Sequence, residues 1–427
     1  MVRRSVAPLL IGTLILRANA GAGTIVLGYF LSQLASNKGH PITSIQVGLI
    51  AVAFFITELT FAPLMGALSD RWGRRTFMIF APFIGLVQVA LLLLTPTENP
   101  FPYIVSLQVL SGISSAMLVP AVLGYLADFT VQNHKLRMRV MSLYELATSG
   151  GIALGVVLGG FAWDHLHRYA FGMLASFYLI VAACMYLTPK VIQAAEHGSL
   201  RYIALRYWRI IRTPRLFIFI PAWICVTALA GIWLGSQVPF LLSAHHHHPT
   251  QLLIGSMSGP GGGSRLSLIM GGYVIFFGLC LLFWAFFLSH LPRLVLMLAS
   301  ITGIYIFCIA LFGINHRGIG NDWLLWIWVP ILLVGIFAET SFAPAALAYL
   351  ADISEEAAKD RGLLMGLYSV FLGLGQLLGN GLGGVFARDF AFDGLIYLTT
   401  LLACVALISL LVLYGYERRV SNLLEAM

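Results

Sequence analysis

Long apolar runs, each separated from the next by a short polar turn, repeat along the whole chain. Most of these runs reach or exceed the roughly 20 residues that an α-helix needs to cross the hydrocarbon of a bilayer. Longer runs are expected to tilt or to extend beyond the hydrocarbon. The pattern predicts twelve membrane-spanning helices, numbered spans 1 to 12, at residues 6–33, 43–67, 76–95, 101–128, 139–163, 169–189, 216–243, 267–288, 293–313, 323–350, 361–387 and 394–416.

The composition is that of an integral membrane protein. Hydrophobic residues make up 59% of the chain and charged residues only 10%, and the mean hydropathy is +0.90. Soluble domains carry about 25% charged residues. Apolar runs of this length favour helices over a β-barrel, whose strands are shorter and alternate in polarity. The sequence therefore predicts an all-α membrane protein in contact with the lipid bilayer. All five cysteines lie within apolar segments, so neither a disulfide framework nor a metal site is expected.

The basic residues indicate the orientation of the chain. The formal net charge is +8, but Lys and Arg occur in short loops, so a nucleic-acid partner is not expected. Of the 25 Lys and Arg residues, 19 fall on the side that holds the N-terminus, five on the other side and one, Arg17, inside a span. Because cytoplasmic loops carry the excess of basic residues, we expect both termini in the cytoplasm. The prediction is a multi-pass protein of the cytoplasmic (plasma) membrane.

The chain contains an internal repeat. Residues 120–130, PAVLGYLADFT, recur as PAALAYLADIS at 344–354, an offset of 224 residues with seven of eleven positions identical. Spans 4 and 5 therefore correspond to spans 10 and 11, which predicts two parallel six-helix halves. We expect a first half at 1–189, a cytoplasmic linker at 190–215 and a second half at 216–427. The protein is expected to be a monomer.

A charged turn lies between spans 2 and 3. Residues 66–75, GALSDRWGRR, match the pattern G-x-L-x-D-R-x-G-R-R at every defined position. The chain thereby resembles the major facilitator superfamily (MFS) of secondary transporters, which carry this signature in the same loop. The resemblance implies the MFS fold of twelve spans in two six-helix halves, with the substrate site between the halves.

The resemblance also implies a cytoplasmic latch. In the family, the loop aspartate faces the start of span 11, and the arginine four residues later pairs with an acid at the end of span 4. These roles fall on Asp70, Arg74 and Asp128. A carboxylate is favoured at a helix N-terminus, and charge-assisted hydrogen bonds are among the stronger ones. The predicted latch comprises Gly66, Asp70, Arg71, Gly73, Arg74, Arg75 and Asp128.

The second half retains only part of this motif. Its corresponding loop reads FFLSHLPR, which leaves Arg293 and Asp352 as remnants. Glu145 lies six residues into span 5, close to basic residues, and we assign it to a charge network at the cytoplasmic helix ends. The predicted network contains Glu145, Arg137, Arg361 and Asp352.

Glycines recur at helical spacing in spans 5 and 11. The sequence G-x3-G-V-x2-G-G at residues 151–160 resembles the span 5 antiporter motif of the superfamily, with Val156 in place of its proline. Glycines at i, i+4 and i+8 share one face of a helix and allow close backbone approach. An antiporter function and plain helix packing both fit this pattern. The predicted packing glycines are Gly151, Gly155, Gly159, Gly160, Gly375, Gly379 and Gly383.

Few ionisable side chains lie within the spans. Arg17 and Glu58 each lie about ten residues, or about 15 Å, from the cytoplasmic ends of spans 1 and 2, and Glu339 lies near the middle of span 10. A charge at the bilayer centre costs about 2.5–3.5 kcal/mol on insertion scales, so each needs a partner or a water-filled cavity. Glu58 is expected either to pair with Arg17 or to face span 11. The predicted proton or substrate cavity comprises Arg17, Glu58, Gln108, Gln237, Glu339, Gln376 and Asn380.

Two loops have more than one interpretation. Residues 190–215 interleave basic with aromatic and aliphatic side chains, which fits either an amphipathic helix on anionic lipid or an ordinary basic linker. Residues 245–266, between spans 7 and 8, contain His245–His248 followed by a glycine-rich stretch. Adjacent imidazoles could hold a metal ion, but they are not preorganised there. We therefore interpret this segment as a flexible extracytoplasmic loop.

These features predict a secondary transporter that moves a small amphipathic or lipophilic molecule by alternating access. Proton-coupled efflux is the leading hypothesis, with H⁺ as coupling ion and no cofactor. Gln108 stands where many proton antiporters of the superfamily carry an arginine, which leaves the coupling open. Alternatives are a flippase for lipid-linked glycoconjugates, an uptake symporter or uniporter and, more remotely, a non-transporting receptor or an intramembrane enzyme. The sequence contains no convincing zinc motif, Ser/Lys dyad or phosphate-binding loop, so no catalytic residues are predicted.

Overall fold

The computed structural model describes residues 6–36, 41–130, 134–190, 212–245, 248–287, 292–356 and 361–425. Within these ranges every regular element is a helix. Ten helical stretches are long and apolar enough to cross a membrane. Two of them, Arg139–Leu187 and Val370–Arg419, are 49 and 50 residues long, enough for two spans each. The predicted all-α membrane fold is confirmed, while the orientation of the termini stays a prediction.

The spans of the first half are single helices with clear boundary signals. In order, they are Ala7–Ala35, Ser44–Trp72, Arg74–Leu92, Pro100–Phe129, His134–Leu166 and Ala170–Leu187. Span 2 begins with a capping box, in which Thr43 and Gln46 satisfy each other's backbone N–H groups. Gly73 adopts a φ of +102°, which a side chain would strain, and thereby allows the sharp turn between spans 2 and 3.

The second half contains two interrupted spans. Its helices are Pro214–Trp233 and Gln237–Leu242 in span 7, Gly262–Phe287 in span 8, Arg293–Asn315 in span 9, Leu325–Glu339 and Phe342–Glu356 in span 10, and Arg361–Glu425 for spans 11 and 12. The last of these is broken at Ala391, which has a φ of 54° and a ψ of −131°. At the interruption of span 10, the hydroxyls of Thr340 and Ser341 donate hydrogen bonds to backbone carbonyls of the preceding turn.

Helix packing follows the internal repeat. In the first half, span 1 packs against spans 5 and 6, span 2 against span 4, and span 3 against spans 4 and 6. In the second half, span 7 packs against the helix of spans 11 and 12, and span 9 packs against span 10. A buried apolar cluster with members from spans 1, 3, 4, 5 and 6 forms a core of the first half; it includes Leu9, Met78, Leu118, Leu126 and Val181.

The chain divides into two compact units that differ from the predicted halves in one respect. The first unit is Met1–Glu196, Gly235–His247 and Ile254–Val274, and the second is His197–Leu234, His248–Leu253 and Ile275–Met427. The short helix of span 7 and the first half of span 8 thus belong to the first unit. The reason is direct packing: Gly28 of span 1 lies against Pro239, and Ser32 donates a hydrogen bond of 2.8 Å to the carbonyl of Ser243.

Candidate functional site

The charged turn between spans 2 and 3 forms a chain of ion pairs centred on Arg74. Its Nη2 lies 2.8 Å from Oδ1 of Asp70, and its Nη1 lies 2.9 Å from Oδ2 of Asp128. The Asp128 side chain is only 8% exposed, against 52% for Asp70, so the pair with Asp128 is the less screened by solvent. The guanidinium lies against Gly124, where a Cβ atom would fall 2.6 Å from Cζ. The structure thus brings Arg74 and Asp128 together as the resemblance implies.

The other residues of this motif have different environments. Arg75 donates a hydrogen bond to the carbonyl of Tyr186 in span 6, and its Cζ lies 5.5 Å from the centroid of the Tyr186 ring. Arg71 is exposed. A Cβ atom on Gly66 would lie at an ordinary van der Waals distance, 3.5 Å, from Cβ of Pro120. The side chains at the start of span 11, the predicted neighbours of Asp70, lie outside the described part of the chain. The contact between them stays a prediction.

The second half contains an equivalent ion pair. Arg293, at the start of span 9, pairs with Asp352 and donates a hydrogen bond of 3.0 Å to the carbonyl of Ala348. Asp352 is the repeat equivalent of Asp128, so Arg293 takes the place of Arg74. The second half therefore keeps the pair although its loop has lost the motif, because pairing needs only two opposite charges at these helix ends. Glu145 is exposed. The side chains of Arg137 and Arg361, its predicted partners, lie outside the described residues.

The predicted packing glycines form two close helix contacts. A Cβ atom on Gly155 would fall 2.0 Å from the carbonyl oxygen of Ala18 in span 1, and one on Gly379 would fall 2.0 Å from that of Ala228 in span 7. The glycines that share these faces are Gly151 and Gly159 against span 1 and Gly375 against span 7. Gly383 does not belong to the second contact, because its nearest neighbour is a side-chain atom of Leu395 at 3.7 Å. Spans 1 and 5 and spans 7 and 11 thus form repeat-related pairs.

Gly160 contacts a different helix. Its backbone N–H donates to Oγ of Ser267 in span 8 at 2.8 Å, and that hydroxyl donates to the carbonyl of Val156 at 2.7 Å. A Cβ atom on Gly160 would fall 2.0 Å from the carbonyl oxygen of Gly263. Span 5 therefore uses its glycines against two helices, span 1 and the start of span 8.

One turn later, Asp164 caps the start of span 8. Its Oδ1 accepts a hydrogen bond from N–H of Gly263 at 3.0 Å, and its Oδ2 accepts two from Ser264, at 2.7 Å from the backbone N–H and 2.6 Å from the hydroxyl. A carboxylate at this place satisfies orphan N–H groups and complements the helix dipole. We call these three residues the span 8 cap. Sequence reasoning missed it; the glycine–serine run before span 8 was the available signal.

Glu58 contacts span 4 rather than Arg17. The hydroxyl of Ser115 donates a hydrogen bond of 2.5 Å to Oε1 of Glu58. No ion pair among the described residues joins Glu58 to Arg17, which was one of the two expectations for Glu58. The physical reason is that span 1 packs against spans 5 and 6, whereas span 2 packs against span 4.

Arg17 makes no direct polar contact with the described protein. Its Nε is buried without a hydrogen-bond partner, and no hydrogen bond or ion pair found among the described residues involves its guanidinium. The side chain leaves span 1 beside Gly151, whose Cβ position lies 2.8 Å from Cβ of Arg17. The residue as a whole is half-buried. A cation within a span therefore lacks an anionic partner in the described part of the chain.

Glu339 lies at the interruption of span 10. It is the last residue of the helix Leu325–Glu339, and no hydrogen bond within the described chain reaches its carboxylate. The offset of 224 residues pairs Glu339 with Ser115, the partner of Glu58. Glu339 thus stands at the position in the second half that Ser115, the partner of Glu58, occupies in the first. Each half therefore has one carboxyl group at this level of the repeat, from span 2 in the first half and from span 10 in the second.

The remaining predicted cavity residues are amides. Gln237 is 3% exposed, and neither its amide nitrogen nor its amide oxygen has a partner among the described residues. Gln108 is buried in span 4. Nδ2 of Asn380 donates to the carbonyl of Gln376 at 2.9 Å and lies against Gly231 of span 7. The first unit thus contains Arg17, Glu58, Gln108 and Gln237, and the second contains Glu339, Gln376 and Asn380.

Residues 191–211 of the linker and 246–247 of the loop between spans 7 and 8 lie outside the described residues. Residues 248–261 of that loop are described and precede the helix that begins at Gly262. Lipid binding by the linker stays a prediction. Across the ranges that are described, no group of three or more His, Cys, Asp or Glu side chains is placed to hold a metal ion.

A sequence profile described as Major Facilitator Superfamily matches residues 9–264 and 261–425. The chain belongs to the Major Facilitator Superfamily. It is a multi-pass membrane transporter and not an enzyme. Its fold is similar to that of a crystal structure of the nucleoside transporter NupG, with a TM-score of 0.72 over 96% of this chain and 98% of that chain at 16% identity.

Two relatives of this MFS transporter come from Bacillus subtilis (strain 168). It is 24% identical to multidrug resistance protein 2 over 377 residues, which cover 87% of this chain and 88% of that protein. It is 29% identical to multidrug resistance protein 1 over 154 residues, which cover 36% of this chain and 38% of that protein. The second match thus spans less than half of the relative's length.

Proposed function

We propose that this transporter exports a small amphipathic or lipophilic molecule in exchange for protons, with Glu58 and Glu339 as the proton-carrying groups. The observation that carries the proposal is the pair of carboxyl groups at one level of the repeat, one in each half. Ionisable groups within spans are rare and mark ion or substrate pathways. The names of the two relatives, both multidrug resistance proteins, support efflux as the direction.

The Ser115 hydroxyl suits proton exchange at Glu58. A carboxylate accepts the hydrogen bond that Ser115 now donates. A protonated carboxyl group can donate instead, because a serine hydroxyl rotates and has free lone pairs. The contact can therefore persist in both protonation states, which lowers the barrier to loading and release. Glu339 has no such partner in the described chain, so the two sites differ in their environment.

The proposal includes a membrane arrangement. The protein is a monomer in the cytoplasmic membrane with both termini in the cytoplasm, and residues 190–215 contact anionic lipid. Substrate enters from the cytoplasm or the inner leaflet. The Arg74 ion pairs act as a latch on the cytoplasmic side, and the halves alternate around the substrate.

The test uses proteoliposomes with a pH gradient and three fluorescent dyes of different charge: ethidium (cationic), N-phenylnaphthylamine (neutral) and anilinonaphthalene sulfonate (anionic). Wild-type protein should drive the accumulation of at least one dye. Glu58→Gln and Glu339→Gln should each abolish gradient-driven accumulation of that dye but keep exchange without a gradient. Glu98→Gln, which changes an exposed acid in the loop between spans 3 and 4, is the matched control and should behave like wild type. Normal accumulation by both span variants would contradict the assignment of the proton sites.

A further inference from the structure

We propose that Arg17 binds the anionic group of the substrate, so that the preferred substrates are amphipathic molecules with a sulfonate, carboxylate or phosphate group. The inference deepens the proposed function and rests on it. Arg17 is the only Lys or Arg residue in the interior of a predicted span, since Arg139, Arg293 and Arg361 stand at the first position of theirs. Its guanidinium offers five N–H donors in a planar fork, a geometry that matches such anions.

The first argument is that Arg17 lacks a partner of its own. A cation within the hydrocarbon is unfavourable unless it is paired or faces water. The buried Nε of Arg17 has neither an acceptor nor an ion pair among the described residues. The residue is half-buried, so part of it can be reached from the space beside span 1. Within the described part of the chain, the Arg17 guanidinium is thus a cationic group without an anionic partner.

The second argument is that the less exposed acids of the first unit have other contacts. Asp128 pairs with Arg74, Asp164 caps span 8, and Glu58 accepts its hydrogen bond from Ser115. Among the described residues of that unit, no carboxylate contacts the guanidinium of Arg17. A substrate anion can provide the missing charge.

The experiment measures dye binding to the reconstituted full-length protein by fluorescence. Anilinonaphthalene sulfonate and N-phenylnaphthylamine share one aromatic skeleton and differ by the sulfonate, so their comparison isolates the charged group. Arg17→Gln should weaken binding of the sulfonate dye about tenfold or more, which corresponds to about 1.4 kcal/mol. The affinity for the neutral dye should change less than about twofold.

Two further variants guard against misinterpretation. Arg17→Lys keeps the charge but loses the planar fork, so it should retain part of the affinity for the sulfonate dye even if Arg17→Gln folds poorly. Arg388→Gln removes a charge of the same type from an exposed arginine whose partner is the adjacent Asp389, and it should bind both dyes like wild type.

The outcomes distinguish this inference from the proposed function. Equal loss of both dyes in Arg17→Gln, or no change in either, overturns the anion site. Wild-type transport of ethidium or the neutral dye without transport of the sulfonate dye overturns it as well, while proton-coupled efflux stands. Failure of wild-type protein to move any of the three dyes under a pH gradient overturns the proposed function, and this inference with it.

Discussion

Replacement of Asp164 by alanine should loosen the first turn of span 8. The change removes a carboxylate that accepts three hydrogen bonds of 2.6 to 3.0 Å from Gly263 and Ser264. Loss of a helix N-cap costs about 0.5–2 kcal/mol. A hydrogen bond to a charged group contributes more when it is buried, about 1.5–3 kcal/mol. Because the residue is only half-buried, we take the capping value and expect the upper part of that range, about 1–2 kcal/mol.

That free energy corresponds to an opening equilibrium about five- to thirty-fold larger. Hydrogen–deuterium exchange followed by mass spectrometry measures it directly, because the amides of Gly263 and Ser264 lose their acceptor. Peptides covering the start of span 8 should exchange faster by this factor, and Asp164→Asn should lie between wild type and Asp164→Ala. Asp322→Asn, a change at an aspartate whose side chain is 76% exposed, should leave these peptides unchanged. Unaltered exchange in Asp164→Ala would refute the reasoning and show that the cap does not hold this turn.

Two stability predictions follow from other contacts. Gly155→Ala should lower the free energy of unfolding by about 1–3 kcal/mol, because its Cβ would fall 2.0 Å from a backbone oxygen of Ala18. Gly172→Ala, whose Cβ would have no neighbour within 4 Å, is the control and should not lower it. If Gly155→Ala and wild type had equal melting temperatures in detergent, the packing assignment would be contradicted. Asp393→Ala should cost about 1–3 kcal/mol, because it leaves the buried donor of Asn315 without its 2.8 Å partner; a melting temperature equal to that of wild type would show that water replaces the carboxylate.

The sequence predicted the membrane-spanning helices well, but it predicted only some of the contacts between side chains of different helices. Apolar runs indicated the spans because the bilayer requires helices of fixed minimum length. The pair of Arg74 with Asp128 was predictable because a sequence motif specifies both residues. Of the two expectations for Glu58, the pair with Arg17 is not found among the described residues, because span 1 packs mainly against spans 5 and 6 and span 2 against span 4. The partner of Glu58 lies in span 4, and only the three-dimensional packing reveals it.

The span 8 cap was missed, and the second ion pair was foreseen only as two remnant residues, Arg293 and Asp352, for related reasons. Asp164 lies about one hundred residues before the helix that it caps, and no local pattern relates the two. Arg293 lies in a loop that no longer matches the motif, yet it pairs with the repeat equivalent of Asp128. A lost motif therefore does not imply a lost contact, because sequence identity in a loop can disappear while charge at a helix end is kept.

The glycine contacts of spans 5 and 11 constrain how this transporter can evolve. At Gly155 and Gly379 a single added carbon would meet a backbone oxygen 2.0 Å away, so no other residue type can be tried there without moving a helix. Substitutions that alter the transported substrate are then expected on other faces of the same helices, where side chains can vary. The glycine contacts therefore fix how the two helix pairs pack. Change in sequence is confined to the residues of these helices that lie outside the contacts.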